Sequence, residues 1–366
     1  MDAIVAGAGI WGCTVARRLA EAGRKVLVLE KRAAVGGNCR CEIDPETGIE
    51  VHTYGSHIFH TKSEQVWDFV RRFTDFNAYR HCVLANCRGR VYHLPIGCTL
   101  LKEFFGRDVK PSELTDDERN AIFEAFIRGY TSKQWGVPPE KVDPSVIARL
   151  KVRDSYSTDY FDDPHQGIPL EGYNRLFEKL LDHENISVEC NVDFNLDLAA
   201  KWAQRGARIF YSGPIDRLFD YKFGALPWRT LRFETEKLPV VDFQGNSVVN
   251  YPDIDVPYTR IHEFKHYHPE WEEKGVGEGV GVGGRRTVIM REYSGEWKKG
   301  DEPYYPIQNA ESAALLKKYQ EEVEKFNHHS TPTPSAYTFL TVGGRLGGYR
   351  YLDMDQAMAA ALELEI

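Results

Sequence analysis

Among the 366 residues no CxxC pair occurs. The seven cysteines, at 13, 39, 41, 82, 87, 98 and 190, are odd in number. Cys39–Cys41 and Cys82/Cys87 are too loosely arranged to imply a zinc knuckle, and reduced cytoplasmic thiols are expected. Apolar runs never approach the roughly 18–20 residues that a membrane span requires. Met1 leads straight into "AIVAG" without a basic n-region and cleavage site, so no secretory leader is expected. Positive charge is in deficit, 46 Lys and Arg against 54 Asp and Glu, for a net charge of −8. That balance argues against a nucleic-acid partner, although local basic positions could hold a small anion. No internal repeat is visible. What remains is a 42% hydrophobic chain, long enough for two or three domains with a sizeable core.

The first segment, "DAIVAGAGIWGCTVARRLAEAGRKVLVLEKR", reads as strand, glycine turn, helix, strand. In "GAGIWG" (7–12), Gly7 makes the tight turn, Gly9 admits backbone next to a pyrophosphate, and Gly12 lets the helix close on the strand. The helix start adds orphan N–H groups and the positive end of its dipole. Glu30 closes the second strand, where a carboxylate accepts from ribose hydroxyls and repels a 2′-phosphate. Strand, helix, strand and acid in register point to dinucleotide binding.

Residues 62–150 read as helical. "SEQVWDFVRRFTDF" puts Val66, Phe69, Val70 and Phe73 on one face, and Thr115 with Glu118 forms a capping signature before "NAIFEAFIRGYTSKQWG". "RIFYSG" (208–213) is a short buried strand, and from about 221 alternating aromatic stretches suggest a mostly antiparallel sheet. The glycine-rich 272–284 reads as a hairpin tip rather than a phosphate loop, because no Lys-Ser/Thr follows it. The last segment returns to strand, glycine turn and helix.

"EKRAAVGGN" (30–38) resembles a flavoprotein pattern in which Gly37 and its neighbours bring backbone against FAD. "HTYGSHIFHT" (52–61), "GYTSKQWG" (129–136), "QGIPLEGY" (166–173), "YSGPIDRLFDYKFGAL" (211–226), "FQGNSVVNY" (243–251), "VPYTRIHEFKH" (256–266), "GDEPYYPI" (300–307) and "GGRLGGYRYLDMDQ" (343–356) follow in order. Together they resemble the flavin-dependent nucleotide-sugar mutases, the family of bacterial UDP-galactopyranose mutase, over almost the entire chain. The resemblance implies an α/β fold: an FAD-binding Rossmann-like domain (1–75, 187–220, 335–366), an inserted α-helical domain (76–148) carrying the base site, and an antiparallel-sheet domain (149–186, 221–334) with a mobile loop near 149–165. The implied reaction exchanges pyranose and furanose rings with no net redox change. Reduced FAD bonds the anomeric carbon through N5 while the nucleoside diphosphate departs and returns. An NAD(P)H or flavin-reductase electron supply and a homodimer are the family's usual companions.

By this similarity His57 and His60 flank the flavin, which displaces a zinc reading of the three histidines in 52–61; HxxH without Glu is a poor metal signal. His52 reads as structural. Lys31, Asn38, Arg345 and Asp353 join Gly7, Gly9, Gly12, Glu30 and Gly37 around FAD. Guanidinium groups suit a departing diphosphate, and the resemblance assigns Arg149 on the loop, with Arg153 as its rival, and Arg260. Tyr130, Thr131, Trp135, Tyr160, Arg229, Asn250, Tyr305 and Tyr351 complete the substrate shell. Trp135 would stack on the base, worth on the order of 1–3 kcal/mol.

Two places depart from the family pattern. "HCVLA" (81–85) puts His81 where an asparagine is expected near the sugar, and "HLPIGCT" (93–99) loses aromatic and amide groups. The hexose subsite is therefore open, with an N-acetylated sugar or a thymidine-linked deoxyhexose as alternatives to UDP-galactose. Outside the mutases, a flavin amine oxidase-like enzyme and a non-catalytic binder are the other classes.

Overall fold

Five short apolar strands form a parallel sheet in the order Ile186–Cys190, Val26–Glu30, Ala3–Ala6, Arg208–Tyr211, Leu340–Val342. The computed structural model describes residues 1–142, 152–272, 286–329 and 339–366. Arg149 and residues 273–284 of the glycine-rich 272–284 lie outside the described residues. The two strands at the sheet's centre, Ala3–Ala6 and Val26–Glu30, are buried at every position, as expected when helices cover both faces. Their side chains alternate between two cores. Ala3, Val5, Val26 and Val28 pack with Val15, Leu19 and Met358, while Ile4, Ala6, Leu27 and Leu29 pack with Ala199, Ala203 and Tyr319. Each fully buried Val or Leu contributes roughly 1.5–3 kcal/mol.

Helix Ile10–Glu21 lies directly against the first strand, which Gly12 permits: a Cβ there would stand 2.0 Å from the Gly7 carbonyl oxygen. Gly7 has φ +103, a conformation that L side chains rarely adopt. Gly23, at φ +79, follows the helix end.

A second sheet has seven strands, in the order Tyr305–Pro306, Trp228–Leu238, Thr287–Glu296, Arg260–Glu263, Val248–Asn250, Val83–Cys87, Arg90–Leu94. All its pairs are antiparallel except Val248–Asn250 with Val83–Cys87. Its last two strands correct the all-helical reading of 62–150. Val83, Ala85 and Cys87 are buried while Leu84 and Asn86 are not, a period of two. Arg88 and Gly89 both take positive φ, the pairing that closes a two-residue hairpin.

The remaining helical expectations hold. Helix Glu64–Arg71 buries Val66, Phe69 and Val70, with Phe73 buried just beyond it. Thr115 and Glu118 cap helix Asp116–Ile122 reciprocally. That helix runs through a π-helical stretch, Phe123–Arg128, into Gly129–Trp135. Gly129 is needed there, because a Cβ would meet the Pro252 carbonyl oxygen at 2.1 Å. No helix among the described residues is long and apolar enough to cross a membrane.

Candidate active site

The seven-stranded sheet builds one wall of a cavity of about 600 Å³. Strand register aligns Ala85, Asn250, Arg260 and Glu292 as successive cross-strand partners, so their side chains share one face. All four line the cavity. Two positions further along, Val83, Val248, His262 and Met290 form the next row on that face.

Arg260 sits at the centre of the charge. Its Nε lies 3.1 Å from Glu292 Oε1, and the carboxylate is 3% exposed. Burial opposes ionisation of Glu292, but Arg260, His262 and Thr259 outweigh it and hold the carboxyl at about 2. Burial likewise disfavours the guanidinium, and Glu292 reverses the balance, so Arg260 stays cationic. Glu292 was not expected from sequence. A charged residue at an inward position of "VIMREY" was the signal that could have found it.

A second wall is aromatic. Tyr305 stacks on Tyr351 at 5.6 Å, Trp135 lies 6.2 Å from Tyr305, and the Arg345 guanidinium is 5.0 Å from the Tyr351 ring centre. Arg345 is itself held by the Leu352 carbonyl. Across the cavity His60 stacks on Phe161 at 3.6 Å, and Phe161 on His81 at 5.4 Å. Asp163 bonds His60 Nδ1 at 2.5 Å. His57 completes this side. Its Nδ1–H donates to the Gly55 carbonyl, and burial with the nearby Arg345 pushes its pKa down to about 4, so Nε2 presents a lone pair at neutral pH.

Most of the expected site residues converge here. Asn38, His57, His60, His81, Tyr130, Trp135, Tyr160, Asn250, Arg260, Tyr305, Arg345, Tyr351 and Asp353 all line the cavity. Thr131 is buried off its wall. Arg229 is placed differently from the expectation. Its guanidinium donates to the carbonyls of Gln134 and Lys133 and to Ser294 Oγ, capping the helix that carries Trp135. Arg153 braces the chain by donating to the Asp159 and Tyr160 carbonyls, away from the cavity wall.

The glycine turn adjoins the same cavity through Asn38, which follows Gly37 and lines it. A Cβ on Gly37 would stand 2.9 Å from Gly9 Cα, so two stretches of bare backbone meet beside the helix start. No side chain stands between them, which suits a pyrophosphate. Glu30 accepts from the Ala8 and Arg32 N–H groups, one per oxygen, leaving each oxygen a lone pair for a ribose hydroxyl. Lys31 is exposed beside Glu302. Asn38, held by Arg32, carries the path onto the cavity wall. The Gln134 and Asn250 amide oxygens are buried with no partner among the described residues, as acceptors awaiting a ligand would be. These residues fit a dinucleotide whose far end enters the cavity.

His52 is structural, stacked on Tyr267 at 5.0 Å. Cys41, Glu50 and His52 bring ligand-type atoms together, yet the His57 N–H donates to His52 Nδ1. The His52 proton is therefore on Nε2, the nitrogen a metal would need.

The profile described as UDP-galactopyranose mutase matches residues 125–351, and one described as an NAD(P)-binding Rossmann-like domain matches residues 5–73. A probable UDP-galactopyranose mutase of Klebsiella pneumoniae is 38% identical, over 98% of this chain and 92% of the relative. This chain belongs to the UDP-galactopyranose mutase family. Within that family of isomerases, a dTDP-fucopyranose mutase of Escherichia coli is 35% identical, over 98% of this chain and 96% of the relative. A UDP-galactopyranose mutase of Mycoplasma pneumoniae is 32% identical, over 99% and 94%. A crystal structure of reduced UDP-galactopyranose mutase shares the fold at a TM-score of 0.70 and 16% identity, covering 99% of this chain and 94% of that one.

Proposed function

We propose that the chain interconverts UDP-galactopyranose and UDP-galactofuranose with reduced FAD, without net redox change. The observation that carries this reading is Arg260, kept cationic by Glu292 in a cavity lined by Asn38 on the side of the glycine turn and by Trp135 and Tyr305. Gly9, Glu30, Gly37 and Asn38 would hold FAD, whose reduced form would supply an electron-rich nitrogen as nucleophile toward the anomeric carbon. Arg260, joined by Arg149, steadies the detached diphosphate, whose charge peaks at that moment. Trp135 offers the base a stacking face. Tyr130 and Tyr305, whose phenols burial keeps protonated, donate to phosphate oxygens. Tyr160 and Tyr351 act beside them. His57 accepts a hydrogen bond at the flavin edge, and the aromatic walls keep bulk water from the sugar while it is detached. An NAD(P)H or flavin-reductase electron supply, a homodimer and a cytoplasmic setting belong to the same reading.

The similarity to the dTDP-fucopyranose mutase supports a second substrate, a thymidine-linked deoxyhexose. Dithionite-reduced holoprotein is to be incubated with UDP-galactofuranose, UDP-N-acetylgalactosamine and dTDP-fucopyranose, and products separated by chromatography. Conversion of UDP-galactofuranose supports the first reading, and of dTDP-fucopyranose alone the second. No ring exchange with any of them, or equal rates with oxidised protein, overturns both.

A further inference from the structure

The loop that joins strands Val248–Asn250 and Arg260–Glu263 closes around a side chain from a distant part of the sequence. Lys133, on helix Gly129–Trp135, sends its ammonium into residues 251–258. There Nζ lies 2.5 Å from the Tyr251 carbonyl oxygen, 2.8 Å from that of Asp253, 2.9 Å from that of Val256 and 3.0 Å from that of Tyr258. The mutase reaction described above gives this group no part.

An ammonium suits the place. It has three protons and no lone pair, so it faces these four acceptors with one proton shared between two of them. Burial lowers its pKa to about 8 while Asp253 and Asp255 favour its charge, so it is a cation at neutral pH. Carbonyl dipoles converging on one point repel each other unless positive charge sits among them. The loop therefore holds this shape because Lys133 fills it. Both of its ends run onto the cavity wall. Tyr251 follows Asn250 and Tyr258 lies shortly before Arg260, and Asn250 and Arg260 line the cavity. On the helix, Tyr130, Gln134 and Trp135 line it too, whereas Lys133 does not. The Gln134 and Asn250 amide oxygens, buried without a partner among the described residues, thus sit on the two pieces that Lys133 joins.

We infer that Lys133 is a positioning residue for the nucleotide: its ammonium couples the helix carrying Tyr130, Gln134 and Trp135 to the strand end carrying Asn250, and so sets the spacing of the groups that meet the ligand. It acts through the loop and not by contact. Arg260 keeps an anchor of its own in Glu292, and Arg229 holds the far end of the helix at the Lys133 and Gln134 carbonyls. Loss of the ammonium therefore loosens one joint of the subsite and leaves the charge at the departing diphosphate in place. Ground state and transition state are weakened alike, which raises KM and spares kcat. The ligand rests on the mutase reading, and the coupling rests on the carbonyl bonds.

Lys133→Met keeps the length of the side chain and removes its charge. With FAD-loaded protein held well below its melting temperature, Kd for UDP and dTDP is read by isothermal titration calorimetry, and KM and kcat by turnover of the reduced enzyme. Kd and KM are expected to rise about tenfold while kcat stays within about twofold. Lys133→Arg keeps a charge, but its planar fork cannot turn donors onto all the converging oxygens, so a rise of about threefold is expected. A folded Lys133→Met, or Lys133→Arg should the first not fold, that binds within about twofold of wild type overturns the inference, even if its melting temperature drops, for the lysine is then merely structural. A fall in kcat at unchanged KM overturns it as well. A wild type that binds neither UDP nor dTDP overturns the nucleotide reading itself, which the variants' behaviour cannot mimic.

Discussion

Replacing Glu292 by Gln keeps the shape and an acceptor for Thr259 while removing the charge that Arg260 faces. The cost can be worked in two ways. Burial alone would push the carboxyl up, yet Arg260, His262 and Thr259 bring it from 4.5 to about 2. At about 1.4 kcal/mol per tenfold change, this preference for the charged form is worth on the order of 3 kcal/mol. Removing one partner of a buried pair, which strands the other charge, costs roughly 3–5 kcal/mol. The agreement sets the expected loss at about 3 kcal/mol at pH 7, read from urea unfolding followed by tryptophan fluorescence. The pH dependence checks its origin. The folded-state value is depressed, so the stabilisation is present above the unfolded value of 4.5 and is lost as pH falls through about 2. By pH 3 about half of the wild-type advantage over Glu292→Gln is gone. A difference under about 1 kcal/mol at pH 7, or one that is the same at pH 7 and pH 3, would refute the pairing.

Gly12→Ala sets a methyl 2.0 Å from the Gly7 carbonyl, and is expected to purify with far less flavin, read by absorbance, and to melt earlier. Arg260→Lys should lower turnover of folded holoprotein at least tenfold by losing the paired donors. Arg229→Lys, whose guanidinium reaches Gln134, Lys133 and Ser294 rather than the cavity, should lower the melting temperature and spare most of kcat. Stability of wild type should fall between pH 6.5 and about 3 more steeply than that of His81→Asn. Burial and Arg260 hold the folded imidazole at about 3, while the unfolded chain binds a proton near 6.5.

The parts legible in the sequence are those whose physics is local. The turn at 7–12, the acid at Glu30 and the capping pair Thr115–Glu118 each lie within one strand-helix unit, and spacing alone expresses their geometry. The cavity wall is of another kind. Ala85, Asn250, Arg260 and Glu292 come from four strands, and only cross-strand register sets them in one row. The resemblance supplied Asn250 and Arg260 as names. It could not supply Glu292, nor say why Arg260 keeps its charge when buried. Arg229 was not placed by the sequence for the related reason that a guanidinium capping a helix and one awaiting a phosphate are the same letter. The missed hairpin at 83–94 connects these cases. Reading it as helix separated Ala85 from Asn250 and left His81 as a lone substitution near a sugar. Once Val83–Cys87 pairs with Val248–Asn250, Tyr79 and His81 stand at the entry to that strand, with Ser247 just before its partner. The cavity wall is thus a product of pairing between strands distant in sequence, which no single stretch of the chain expresses.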